Sequence, residues 1–401
     1  MSPTDFILVF LLVAVVIHFF RTILTTRGRH NQLPPGPPGL PLVGHLHMLG
    51  KFPPRTLYKL SQKYGPIMSL RLGSVPTIIV SSPSAAELFL KTHDTVFASR
   101  PKSHAAYYSP DGTKAMGISD QYGPYWRSVR KFCTLELLSV TRIDAMAGQR
   151  REELRLVVES LKKAAGGRVV VDVSEKVVRL IEDMTCRMLF GKSKDDRFNL
   201  SEIVHELAEV MGAFNIADFI PFLGALDLQG LNRRLRVTSR AADKILETII
   251  DDHENDASID NKKHIRDFVD VILSLRNSHT TTHEQLANNI NRSNIKAILL
   301  DLIFAAIDTS HAAIEWIMSE LIRHPRVMKL VQEEIGNVTP DCEFVEESHL
   351  SKLNYLDMLV HSFDWELPFG ISPNGLNMDE SFGLTVPRAK NLLAIPSVRF
   401  P

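Results

Sequence analysis

Cysteine is scarce in this chain: there are three in 401 residues, at Cys133, Cys186 and Cys342. That is too few for a disulfide framework and fits a reducing compartment. Net charge is also lacking. The 46 lysines and arginines are balanced by 46 aspartates and glutamates, so nothing predicts a nucleic-acid partner. No internal repeat and no low-complexity segment interrupts the sequence. What remains is ordinary globular composition, 44% hydrophobic and 23% charged, long enough for one large domain or two smaller ones.

One long apolar run stands at the N-terminus. Residues 6–20 read FILVFLLVAVVIHFF, apolar except for His18. Extended through Leu24 the run has 19 residues, about 28 Å of helix, enough to cross a bilayer core. Asp5 precedes it, and Arg21, Arg27 and Arg29 follow it. A cleavable signal peptide carries its positive charge in front. The pattern here predicts an uncleaved anchor and basic flank over residues 1–30, with residues 31–401 on the cytosolic side. The proline-rich stretch at 34–41 then predicts a stiff spacer, because proline fixes φ and excludes helix.

The remainder reads as mainly α with a small β-sheet. Residues 67–72 and 77–81 alternate around Gly73-Ser74-Val75-Pro76 and predict a hairpin. Ser82-Pro83 predicts a capped helix running to Lys91. Apolar residues at three- and four-residue spacing predict helices over 152–163, 170–190, 200–211, 237–253 and 291–323. Residues 251–263 are charged and poorly apolar, which predicts a loop. The longest helix has a wide apolar face interrupted by Ala305-Ala306-Ile307-Asp308-Thr309-Ser310. Its alanines permit close approach of another group. An acid beside a hydroxyl in an apolar setting either bonds back onto the helix or does chemistry.

Four motifs in order resemble the cytochrome P450 family of the plant endoplasmic reticulum. They are the hinge Pro34-Pro35-Gly36-Pro37-Pro38-Gly39, the W-x-x-x-R run Trp126 to Arg130, the Ala305 to Ser310 segment, and His324-Pro325 with Gln332-Glu333-Glu334. Ala306 stands where the family usually has glycine. The resemblance implies a cytochrome P450 fold, haem as cofactor, and oxygen- and reductase-dependent hydroxylation of a small lipophilic metabolite. It implies electrons from an NADPH-cytochrome P450 reductase and residence on the endoplasmic reticulum membrane. It assigns Trp126 and Arg130 to a haem propionate; their alternative reading is an aromatic anchor and a surface cation. It assigns Asp308 and Thr309 to water and proton delivery, and Ala305 and Ala306 to the pocket wall. Residues 103–120 resemble the substrate-covering loop. Phe214, Ile216, Phe219, Ile220, Phe222 and Leu223 resemble the apolar region near the membrane, with core packing as the alternative.

The resemblance breaks at one place. Leu353 to Val360 matches the start of the family's E-x-x-R helix, but the chain continues His361-Ser362-Phe363-Asp364-Trp365-Glu366-Leu367-Pro368, which resembles the segment beyond the haem-cysteine helix. The E-x-x-R segment and the F-x-x-G-x-R-x-C-x-G loop are both missing between Val360 and His361. No cysteine has an arginine two residues before it and a glycine two after. Glu152 to Arg155 and Glu320 to Arg323 spell E-x-x-R without the right sequel. The thiolate ligand drives O–O cleavage in this family, so this chain is expected to be catalytically defective. Two alternatives stand beside that reading: a membrane-anchored non-catalytic partner of reductase or sister enzymes, and an inert mis-spliced product. Loss of the block is also expected to bare apolar surface and make the chain aggregation-prone.

Overall fold

The computed structural model describes residues 33–108, 114–192, 200–259, 267–277, 291–338 and 357–399. The expected anchor over residues 1–30 and Cys342 lie outside the described residues. Two compact units are distinguished: residues 1–104 with 214–233, and residues 105–213 with 234–401.

In the first unit the proline-rich stretch is not a free spacer. Ser69 donates its backbone N–H to the Pro35 carbonyl at 2.9 Å and its hydroxyl to the Pro34 carbonyl at 2.7 Å. His45 bonds the Pro37 carbonyl at 2.8 Å, and Arg71 bonds that of Leu40 at 2.8 Å. A Cβ on Gly36 would come within 2.1 Å of the Ser69 carbonyl oxygen, so only glycine fits there. Beside this segment lie α1 (Pro53–Tyr64) and a hairpin of β1 (Ile67–Leu72) and β2 (Val75–Val80), paired antiparallel. Ser82 caps α2 (Pro83–Glu87) by accepting from the Ala85 N–H at 3.2 Å. The chain then continues as a π-helical turn to Thr92. Phe214 and Phe219 stack at 4.3 Å and pack against Leu49, Leu70 and Leu72. These two therefore take the core role, whereas Phe222 is 70% exposed.

The second unit is helical around one long rod. Its principal helices are α3 (Pro124–Phe132), α4 (Ala147–Gly166), α5 (Val173–Phe190), α6 (Leu200–Gly212), α7 (Leu231–Ile259), α8 (Phe268–Asn277), α9 (Arg292–Arg323), α10 (Pro325–Val338) and α11 (Asp357–Ser362). The rod is α9, packed on α5 and α6. It is long and apolar enough to cross a membrane, but here it is a core helix with Ile295, Ile298, Leu299 and Ile303 fully buried. Asn291 opens it with a reciprocal side-chain and backbone pair to Asn294.

One expectation fails. Residues 251–259 are helix, not loop, because their charges have partners. Arg292 on α9 bonds Asp251 at 2.5 Å, Glu247 at 2.6 Å and Glu254 at 2.7 Å. Pairing across helices replaces the apolar contacts that the periodicity lacks.

The segment after residue 361 is an ordered part of this unit. Strand β4 (Phe363–Glu366) pairs antiparallel with β5 (Leu393–Val398), which pairs on its other side with β3 (Val171–Asp172). Val360 and Phe363 are fully buried in one core with Leu161, Met318, Leu392 and Ala394. The side-chain amide of Gln332 on α10 donates to the Val360 carbonyl at 3.1 Å and to Asp364 at 3.2 Å. Among the described residues the architecture is thus mainly helical, with two small sheets rather than one.

Candidate functional site

Asp308 and Thr309 are adjacent on α9 but face differently. Thr309 is exposed, and its hydroxyl donates back to the Ala305 carbonyl at 2.6 Å. That removes the hydroxyl hydrogen from other use. Asp308 is only 5% exposed, and its Oδ2 has no hydrogen-bond partner among the described residues. An unbonded buried carboxylate oxygen is costly, on the order of 1–3 kcal/mol.

Ala305 and Ala313 are exposed, Ile317 is 44% exposed, and Ala306 is half-buried. Ala305, Thr309, Ala313 and Ile317 run at four-residue spacing, so these four form one uncovered stripe along α9.

Trp126 and Arg130 are brought together on α3. The Arg130 guanidinium lies 5.3 Å from the Trp126 ring centroid, and Arg130 itself is exposed. The Trp126 indole N–H donates to the Met116 carbonyl at 3.0 Å. The same turn of chain is held from α9, where the Asp301 carboxylate accepts from the Met116 N–H at 2.5 Å and the Gly117 N–H at 3.2 Å. Tyr125 adds a bond to the Lys114 carbonyl at 3.3 Å and accepts from Asn294 at 2.8 Å. The loop that resembles a substrate cover is therefore fastened to α9 by Asp301, two turns before Asp308, or about 10 Å along the axis. Sequence reading missed Asp301. The available signal was a lone acid in the apolar run Leu299-Leu300-Asp301-Leu302-Ile303.

Burial pushes the Asp301 carboxyl up to about 6, against the bonds from Met116 and Gly117, which lower it. The folded chain then holds a proton between about pH 4 and 6 that an ordinary aspartate, at 3.8, has released. Stability from this group is full below that range and is lost as pH rises through 6. Asp301→Asn is expected to remove this dependence. Urea unfolding at pH 4 and pH 7 would show wild type losing on the order of 2–3 kcal/mol relative to the variant.

The described cysteines are not ligands in waiting. Cys133 and Cys186 are 2% and 6% exposed in the core of Val129, Phe132, Leu189 and Phe190. Burial, with the nearby Asp301 charge, pushes the Cys133 thiol up to about 12, so it carries no thiolate at neutral pH. The two E-x-x-R look-alikes are surface ion pairs within single helices, Arg155 to Glu152 at 2.8 Å and Arg323 to Glu320 at 3.1 Å.

Comparison with known proteins places this geometry. The family model for cytochrome P450 matches residues 34–361. Cytochrome P450 CYP736A12 of Panax ginseng is 43% identical over 502 positions that cover all of both chains. Since this chain has 401 residues, about a hundred of those positions have no counterpart in it. Cytochrome P450 750A1 of Pinus taeda is 38% identical over 87% of this chain and 68% of its own length. The 3,9-dihydroxypterocarpan 6A-monooxygenase of Glycine max is 34% identical over 88% of this chain and 70% of its own. The chain belongs to the cytochrome P450 family, whose cofactor is haem.

Proposed function

We propose that this chain derives from a haem-thiolate monooxygenase acting on a small lipophilic metabolite, and that as it stands it does not catalyse that reaction. One observation carries the reading. The family match ends at residue 361, where the sequence passes directly into a tail that docks in register, without the cysteine loop. The Panax ginseng relative aligns over about a hundred positions more than this chain has residues, which supports a missing block of that size.

The described residues do not fit a haem-thiolate. The two described cysteines sit inside an apolar core, one with its thiol held protonated. Trp126 already uses its N–H on the Met116 carbonyl, which leaves Arg130 as the one propionate partner of that pair with free reach. Asp308 keeps an unbonded carboxylate oxygen, and Ala305 and Ala306 keep space beside the helix. These features belong to the ancestral pocket. Membrane anchoring by residues 1–30 at the endoplasmic reticulum, one domain over 31–401 and electron supply by an NADPH-dependent reductase complete the proposal.

The test is turnover. Microsomes carrying this chain, haem and excess reductase should oxidise lipophilic probe substrates no faster than microsomes without it. NADPH-dependent product above that background would overturn the reading.

A non-catalytic partner role is the second reading. It is favoured by the ordered tail and by Arg127, Arg130 and Lys131, all exposed on α3. That face would suit an acidic protein surface. Salt-sensitive co-sedimentation with reductase, lost in Arg127→Glu with Lys131→Glu, is the expected result. Equal recovery with the double variant would rule out this face.

A further inference from the structure

A second constellation lies away from the α9 stripe, where the ends of α5 and α7 meet the start of α8. His253 on α7 and Asp267 before α8 are 9% and 3% exposed. The His253 Nδ1 faces the Ile249 carbonyl at 2.7 Å, and its Nε2 faces Asp267 Oδ2 at 3.1 Å. Both partners are acceptors. A neutral imidazole has one N–H. If Nδ1 donates it to Ile249, the Nε2 lone pair points at a carboxylate oxygen. Two lone pairs do not face each other at that distance in a buried site unless something positive lies between them.

Asp270, one turn into α8, brings a second carboxylate. One ligand atom from each of His253, Asp267 and Asp270 lies within 4.8 Å of the others. Asp267 is held in place by accepting the Asp270 backbone N–H at 2.9 Å. The chain makes room for it at Gly191, whose φ is +68° and whose Cβ, if present, would lie 2.7 Å from Asp267 Oδ2. An Nδ1 hydrogen bond to a backbone carbonyl is the arrangement that fixes a metal-binding imidazole, leaving Nε2 for the ion. Two ligands with bonds of about 2.0–2.1 Å at a tetrahedral angle stand about 3.3 Å apart. The observed 3.1 Å matches that spacing.

We propose that His253, Asp267 and Asp270 form a divalent-cation site of the zinc class, completed by water, that fastens α7 to α8 at the end of α5. One imidazole and two carboxylates are ordinary zinc donors. The site is independent of haem, and nothing in it depends on whether the chain turns over substrate.

The experiment uses the full chain in detergent, stripped with a chelator and dialysed against Zn²⁺ or Co²⁺. The expected result is one ion per chain, visible absorption from tetrahedral Co²⁺, and a higher melting temperature with Zn²⁺. Asp270→Asn should weaken binding by at least ~10-fold while still folding cooperatively in chelator, because the backbone N–H that Asp267 accepts is kept. His253→Gln should abolish the Co²⁺ absorption. No stoichiometric binding by wild type, or equal binding by both variants, would overturn the proposal and leave a proton between His253 and Asp267.

Discussion

Returning the missing block converts this chain into a thiolate-ligated haem protein: that is the expected result of inserting the corresponding segment of the Panax ginseng relative between Val360 and His361. The relative's alignment supplies about a hundred positions that this chain lacks. The insertion point falls inside α11, between the buried Val360 and His361, so the restored segment replaces the last turn of that helix while Phe363 keeps its place at the start of a paired strand. The restored segment would bring the family's cysteine loop, whose thiolate is the iron ligand. It would also have an uncovered stripe to pack on, through Ala305, Thr309, Ala313 and Ile317. The gain is qualitative, because push from the thiolate is what separates O–O cleavage from simple ligand binding at haem. The readout is the carbon monoxide difference spectrum of the reduced chimera. A folded, haem-loaded chimera without a thiolate-type Soret band would mean that the block is not what the chain lacks.

The second large effect concerns stability. Phe363→Ala should destabilise the chain by about 3–5 kcal/mol, the usual cost of removing a fully buried phenyl ring. Phe363 has no exposed surface, packs with Trp365 at 5.9 Å, and sits in the core that joins α4, α10 and the tail sheet. It is the third residue past the junction. If the tail docks as described, urea unfolding of wild type is cooperative and the variant's midpoint falls well below it. The aggregation expected from the sequence alone would instead give no cooperative transition in either protein, and no difference between them. The bare α9 stripe and the docked tail pull in opposite directions, and this variant measures which one governs.

Much of the fold was legible because its signals are local. The long helix is expected over 291–323 and runs Arg292–Arg323, since a strong apolar period marks its course. Ser82 was read as a cap and caps α2. What escaped was set by distant partners. Residues 171–172 read as helix but form a strand, because Ala394 and Leu393 pair with them from the far end of the chain. Residues 251–259 read as loop but are helix, because Arg292 lies alongside. The proline stretch read as a spacer but is bonded to β1. At the candidate site the pair Asp308 and Thr309 was legible as a polar break in an apolar face. Their opposite exposures were not, and neither was Asp301, whose role exists only once the Met116 turn is folded against it.

The most direct measurement is made on the chain as it is. Express residues 1–401 in microsomes, supply haem, reduce with dithionite, add carbon monoxide and record the difference spectrum. The account predicts no thiolate-type Soret band in membranes where immunoblotting shows the full chain. A thiolate-type band would mean that Cys133, Cys186 or Cys342 reaches the iron, and would contradict the claim that this chain has lost its reactive centre.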